Sequence, residues 1–168
     1  GIVIHTSSQI TDIHTEKETV SGFKVLHKQE KSAVSLIPDD ILVNAAGGWA
    51  PQILKRNNLW APPVNAYKRH LYFISYPGGE NFPILWDEMK DFYIRPESGG
   101  FLASHCDQTQ TLPDDYDANP DEDVKFIGAL IATFPFLAKA GIRKVWSCLR
   151  SFSMDNRPVT GFDPHLKN

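Results

Sequence analysis

Arg150 stands directly after the short apolar run Val145-Trp-Ser-Cys-Leu149, and that placement suits the capture of an acid group. A guanidinium is planar, holds its charge at any working pH and presents paired donors that match both oxygens of a carboxylate. A site built around it would recognise an amino acid or another carboxylic acid; the alternative is a structural ion pair, with Asp155 or Asp87 as partner. Tyr93 and Arg95 lie two residues apart in the strand-like Phe92-Tyr-Ile94, so alternation puts both on one face of a sheet. An amphipathic edge strand accounts for Arg95 on its own. Val43-Asn-Ala-Ala-Gly-Gly-Trp49 joins a strand end to residues small enough to let a cofactor approach the backbone, or serves packing alone. Cys106 and Cys148 are the two cysteines and the six histidines are scattered, with no Cys-x-x-Cys or His-x-x-x-His pair, so no zinc site is expected.

The elements that position these residues follow from the apolar pattern. Gly1 to Ile13 opens on β-branched residues, as though mid-fold. Phe23 to Leu26 and Ala33 to Ile37 form a hairpin around Lys28-Gln-Glu-Lys-Ser32. Ile41-Leu-Val43 reads as a further strand, ending in the Ala-Ala-Gly turn and followed by a helix from Pro51 to Arg56. Pro62-Pro63 marks a boundary, because consecutive prolines block helix and central strand alike. Leu71 to Tyr76, Ile84 to Trp86, Phe92 to Ile94 and Phe101 to Ala103, separated by Pro77-Gly78-Gly79 and Ser98-Gly99-Gly100, suit an antiparallel sheet. Lys68-Arg69-His70 reads as a solvated basic turn before it. Thr109 to Pro120 should be an exposed loop, Asp121-Glu-Asp123 an acidic helix start, and Val124, Ile127, Leu130 and Ile131 the apolar face of a helix that covers the sheet. Val145 to Leu149 is the last strand, and the stretch from Asp155 to Asn168 an irregular return.

Composition sets outer bounds. The 168 residues are 42% hydrophobic and 22% charged, with a formal net charge of -3, which suits a globular chain and gives no concentrated positive surface for nucleic acid. No apolar run approaches the roughly 20 residues of a membrane span, and Gly1-Ile-Val-Ile-His5 lacks the order of a signal peptide. A cytoplasmic protein is the expectation.

Residues 146 to 161 resemble the closing segment of the substrate domain in the glycine/D-amino-acid oxidase family of FAD-dependent oxidoreductases, Trp-x-Gly-Leu-Arg-Pro-x-x-x-Asp-x-x-Pro-x-x-Gly. Trp146, Leu149, Arg150, Asp155, Pro158 and Gly161 match, while Cys148 and Ser151 depart from it. Residues 92 to 107 are similar to the run Phe-Tyr-x-Arg-Pro-Glu-x-Gly-Gly-Leu-Leu-x-Ser-x-Cys-Asp of a D-amino-acid-dehydrogenase-like branch, and residues 43 to 49 to the family's Val-Val-x-Ala-Ala-Gly-x-Trp.

The resemblance implies an α+β fold: a mixed, largely antiparallel substrate-domain sheet covered by helices (61–152), part of a Rossmann-like FAD-binding domain with its β-meander (1–60), and a return segment (153–168). It implies Arg150 on the substrate carboxylate and Tyr93 in the pocket, with Ile10, Ala46, Gly47, Gly48, Trp49, Cys148, Arg157, Pro158 and Gly161 near FAD. Cys148 also fits a small buried hydrophobe, and Arg157, Pro158 and Gly161 fit plain turn chemistry. The implied activity is oxidation of the carbon-nitrogen bond of an amino acid or N-methyl amino acid by hydride transfer to FAD. The sequence holds no Gly-x-Gly-x-x-Gly loop for the pyrophosphate, so the chain is expected to be part of a longer enzyme, to need that polypeptide as its partner, and to bind FAD poorly alone. A non-catalytic carboxylate-binding module is the alternative.

Overall fold

In the computed structural model, which describes every residue except Tyr116 and the side chains of residues 120–122, the chain divides into two compact units. One comprises Gly1–Asn65 with Phe152–Asn168, the other Ala66–Ser151. The acidic side chains of Asp121 and Glu122, expected at a helix start, lie outside the described residues.

The first unit is built on a three-stranded antiparallel meander, β1 (Ser8–Glu16), β2 (Thr19–His27) and β3 (Glu30–Ser35). The turns between its strands need the left-handed backbone found at Lys17-Glu18 and Lys28-Gln29. Gly22 has no Cβ because one there would meet the Val34 carbonyl oxygen at 2.5 Å. A short 3-10 turn, Gly47–Trp49, runs into α1 (Ala50–Arg56), with Pro51 in its first turn, where a missing N–H costs nothing. Asn57 locks α1 to the meander: its Oδ1 accepts the Ile13 N–H at 2.7 Å and its Nδ2 donates to the Ile53 carbonyl at 2.8 Å. The C-terminal segment is held the same way, with Asn168 Oδ1 accepting the Val20 N–H at 2.7 Å.

Two expected strands are absent here. Gly1 to His5 and Ile41 to Ala46 carry no regular structure, and Ile2, Val3, Ile4, Ile41 and Val43 are exposed. An apolar run becomes a strand only when a neighbour takes its backbone groups, and no described strand pairs with either run.

The second unit is a six-stranded sheet, five strands in the order β5-β6-β7-β4-β8 and the sixth, β9, paired to β4. Its members are β4 (Val64–Ser75), β5 (Leu85–Asp87), β6 (Phe92–Glu97), β7 (Gly100–Ser104), β8 (Thr109–Thr111) and β9 (Gly141–Ser153), with α2 (Pro120–Thr133) before β9. The basic triplet 68–70 lies inside β4, where His70 is buried, Lys68 on the same face is half-buried, and alternation turns half-buried Arg69 to the other face. The stretch from Thr109 to Pro120 contains β8, because Ala66, Tyr67 and Lys68 offer it a free edge. β9 runs past the apolar core of Val145 to Leu149 because β4 is long enough to pair with it.

Period-two alternation is clearest in β6, where Phe92 and Ile94 are buried and Tyr93 and Arg95 half-buried. Register places Tyr72, Ala103 and Ile94 side by side on one face. That face packs on α2 through Phe126, whose ring centroid is 4.8 Å from that of Tyr72, and through Leu130. The helix is turned slightly from its expected face: Phe126 and Leu130 are buried, Ile127 and Ile131 partly so, and Val124 is 76% exposed. Gly100 closes the β6–β7 hairpin, where a Cβ would overlap the Ile74 carbonyl oxygen.

The helix face gives a direct test. Phe126→Ala should cost about 3–5 kcal/mol, read as a lowered urea midpoint, whereas Val124→Ala should stay within about 0.5 kcal/mol of the parent.

Candidate functional site

The site grows from the loop that leaves β7. Ser104 is the last strand residue, its Oγ accepting the Cys106 N–H at 3.2 Å, and Cys106 turns the chain with a left-handed φ of 53°. This delivers Asp107 to β4. One carboxylate oxygen accepts the His70 backbone N–H and the other faces His70 Nδ1, both at 2.7 Å. The second ring nitrogen, Nε2, accepts the Asn119 N–H at 2.8 Å. Both His70 nitrogens are thereby used, with Nδ1–H as the donor to Asp107. His105 Nε2 lies 3.3 Å from the same carboxylate, and its ring stacks on His70 with centroids 5.7 Å apart. His70, His105 and Asp107 stand close enough together to suggest metal ligands, yet the carboxylate and both His70 nitrogens are already hydrogen-bonded, Nε2 by the Asn119 N–H. The group is a hydrogen-bonded latch between β4 and the loop.

Beside the latch is a cavity of about 440 Å³ lined by Arg69, Trp86, Asp91, His105, Cys106, Asp107 and Gln108. Arg69 follows from strand parity, since its neighbour His70 points to the α2 side. Its Nη2 donates to the Cys106 carbonyl at 3.3 Å. Trp86 pairs across strands with Tyr93, and the rings stack with centroids 5.6 Å apart.

The charges act on two titratable groups. Burial pushes the Tyr93 phenol above its ordinary range and the Cys106 charge adds to this, while Arg150, Arg95 and Arg69 pull it down. Tyr93 therefore stays a hydrogen-bond donor. Burial also pushes up the Cys106 thiol; Arg69 and Arg150 oppose it, and Asp91 and Asp107 reinforce it.

Arg150 is exposed and lies within β9 rather than beyond a buried strand end, because β9 continues to Ser153. Its Nη1 donates to the Leu149 carbonyl at 3.3 Å, and it makes no ion pair among the described residues. The structural ion pair weighed for it is not formed: Asp155 has Arg157 at 4.0 Å and Asp87 has Lys90 at 3.9 Å. Arg95 is matched by Glu97 at 2.8 Å. The second unit thus brings Tyr93, Arg95 and Arg150 into one electrostatic neighbourhood, with Cys148 half-buried in β9. Arg69, Trp86, Cys106 and the His70–Asp107 pair were missed as site residues. The available signal was the alternation of β4, which makes neighbours in a basic triplet face opposite ways.

The residues of the first unit named for FAD fall on four backbone features. Ile10 adjoins a bulge in β1. Gly47 takes a left-handed φ of 55° in the turn that holds half-buried Ala46, buried Gly48 and exposed Trp49. Gly161, with φ 142°, has nothing within 4 Å of where a Cβ would stand. Arg157 and Pro158 are exposed in a turn where Asp155 accepts the Arg157 N–H at 3.2 Å. The Ser153 hydroxyl and that N–H together hold the Asp155 carboxyl below its usual range. The left-handed backbone at Gly47 and the open space at Gly161 fit the close approach of a flavin dinucleotide. A pyrophosphate loop is not among residues 1–168.

A mixed antiparallel sheet with a helix on one face, together with a separate three-stranded meander, is the partial fold of an FAD-dependent oxidoreductase. The family of FAD-dependent oxidoreductases, DAO, matches residues 1–168, and the chain belongs to it. Among solved structures it is similar to glycine oxidase from Bacillus cereus ATCC 14579 (18% identity, TM-score 0.69, covering 95% of this chain and 42% of that one). It is also similar to L-proline dehydrogenase from P. horikoshii (16%, 0.76, 95% and 41%) and to iminodiacetate oxidase from Chelativorans sp. BNC1 (21%, 0.70, 92% and 40%). The chain spans about 40% of the length of these structures. No curated protein sequence matches it. No helix of the described residues is long and apolar enough to cross a membrane.

Two measurements probe this geometry. His70→Ala would leave the Asp107 carboxylate buried without its partner and should cost about 3–5 kcal/mol in chemical denaturation. Alkylation of Cys106 by iodoacetamide should rise with pH later than that of a free thiol, since the thiolate is the nucleophile. Arg69→Gln removes a charge that favours the thiolate and should move the profile further up in pH.

Proposed function

We propose that this chain forms the substrate-binding part of a flavin-dependent enzyme that oxidises the carbon-nitrogen bond of an amino acid or N-methyl amino acid. The observation that carries the reading is the set of guanidiniums acting on the Tyr93 phenol, with Arg150 unpaired among the described residues. A carboxylate is the group such a field would hold. The neighbours in fold are named for glycine, proline and iminodiacetate, each an amine that bears a carboxylate.

In this reading Arg150 grips the substrate carboxylate and Tyr93, kept protonated by burial, donates a hydrogen bond to it or closes the pocket. Ala46, Gly47, Gly48 and Trp49, with Ile10, Cys148, Arg157, Pro158 and Gly161, border the dinucleotide. When bound, FAD supplies the two-electron acceptor for the oxidation. The protein's share is orientation: the clamp fixes the α-carbon, and the amine must be neutral before oxidation. The sequence lacks the glycine loop that takes a pyrophosphate, so FAD affinity depends on further polypeptide. That same lack supports a second reading, in which the isolated chain binds carboxylates without turnover.

Arg150→Ala, introduced into the flavin-loaded protein, should lower kcat/KM for carboxylate-bearing amines about 100-fold, the effect of a misplaced reacting carbon. Flavin absorbance per mole of protein should not change. An unaltered kcat/KM would reject the clamp.

A further inference from the structure

Arg69 is a cation with too few partners for its burial. A guanidinium offers five N–H donors. Here Nη2 reaches the Cys106 carbonyl at 3.3 Å, while Nε is buried with no acceptor. No ion pair of the described residues includes Arg69. Arg95, two strands away, is by contrast matched by Glu97 at 2.8 Å. Buried polar groups left without partners mark either a structural fault or a place where a ligand completes the bonding, and the side chain that carries this one lines the 440 Å³ cavity.

The acids on the same wall do not fill that role. Asp107 is occupied by the His70 backbone N–H and Nδ1, with His105 Nε2 at 3.3 Å. Asp91 is exposed, where water screens its charge, and lies outside ion-pair distance of Arg69. Arg69 and Arg150 nevertheless both act on the Cys106 thiol and on the Tyr93 phenol. Of the two, Arg69 lines the cavity, and neither guanidinium is in an ion pair with a described carboxylate.

We infer that Arg69 is a specificity-determining residue that binds a second acid group, so that the preferred ligand is an amine carrying two carboxylates. The inference rests on the reading above for the first carboxylate, held by Arg150, and adds the second. The carboxylate would accept from Arg69 Nε and a terminal nitrogen together, satisfying the buried donor in the bidentate geometry that guanidinium favours. Trp86, stacked on Tyr93, forms the apolar wall against which the linking carbons pack. A ligand with one carboxylate would leave Arg69 as it stands.

Iminodiacetate and sarcosine make a matched pair, since both are secondary amines and they differ by one carboxylate. Titrating each into the nitrogen-15-labelled chain, with and without added FAD, and following the Trp86 indole N–H gives two dissociation constants. Iminodiacetate should bind at least 10-fold more tightly than sarcosine. Arg69→Gln should weaken iminodiacetate at least 10-fold and sarcosine much less, so that the two dissociation constants converge, and Arg69→Lys, which keeps the charge without the fork, should retain an intermediate preference. Equal binding of the two ligands, no binding of iminodiacetate, or an equal loss of both in Arg69→Gln would overturn the inference. The two readings separate at Arg150→Ala: if that change leaves both ligands unaffected while Arg69→Gln still abolishes the preference, the clamp fails and the role of Arg69 stands.

Discussion

The carboxylate of Asp107, pinned to β4 by the His70 backbone and imidazole, is the contact on which the candidate site depends. β7 ends at Ser104 and the chain rejoins β4 only at Thr109, in β8, so the sheet ladder leaves the loop between them without a fixed position of its own. Two charge-assisted bonds at 2.7 Å draw it back, and with it come Cys106, which receives Arg69, and His105, which packs on Phe126 at 5.1 Å. A buried carboxylate is costly unless its lone pairs are met. His70 meets them from a strand position that packing has already fixed, so the latch forms without ordering a flexible partner.

The sheet beneath the latch was legible in the sequence because it obeys one period. Phe92 and Ile94 face α2 while Tyr93 and Arg95 face away, as two-residue alternation requires, and the glycine pair 99–100 marked the hairpin where a side chain would strike the Ile74 carbonyl. The α2 face keeps its helical period, with Ile127, Leu130 and Ile131 on it and Val124 off it. Phe126 replaces Val124 at its leading edge because a large ring reaches Tyr72 from a position where valine could not. The meander was equally plain, its turns marked by polar residues between apolar runs.

Features that depend on distant partners were harder to see. Ile41 to Val43 has strand composition, yet composition does not provide a neighbour, and in its absence the run stays irregular. The triplet 68–70 looked like a turn because three polar residues in a row usually meet water. Its burial depends on Asp107, 37 residues later, and on the Asn119 N–H. No local pattern announces such a pairing, and so Arg69 went unnoticed while Arg150, carried by a family motif, stood out. The reverse holds for the setting of Arg150: the motif marked the residue, and only the length of β9 showed that it lies exposed within a strand.

The two walls of the cavity differ in stiffness. Cys106 and Asp107 emerge from β7, every residue of which is buried, flanked on both sides by paired strands. Trp86 stands opposite on β5, three residues long at the margin of the sheet, between exposed Ile84 and fully solvated Met89. A hinge at that margin would break few backbone bonds, whereas displacing β7 would disrupt the core. The tryptophan side of the cavity is thus the yielding one, and the cysteine side is its fixed jamb.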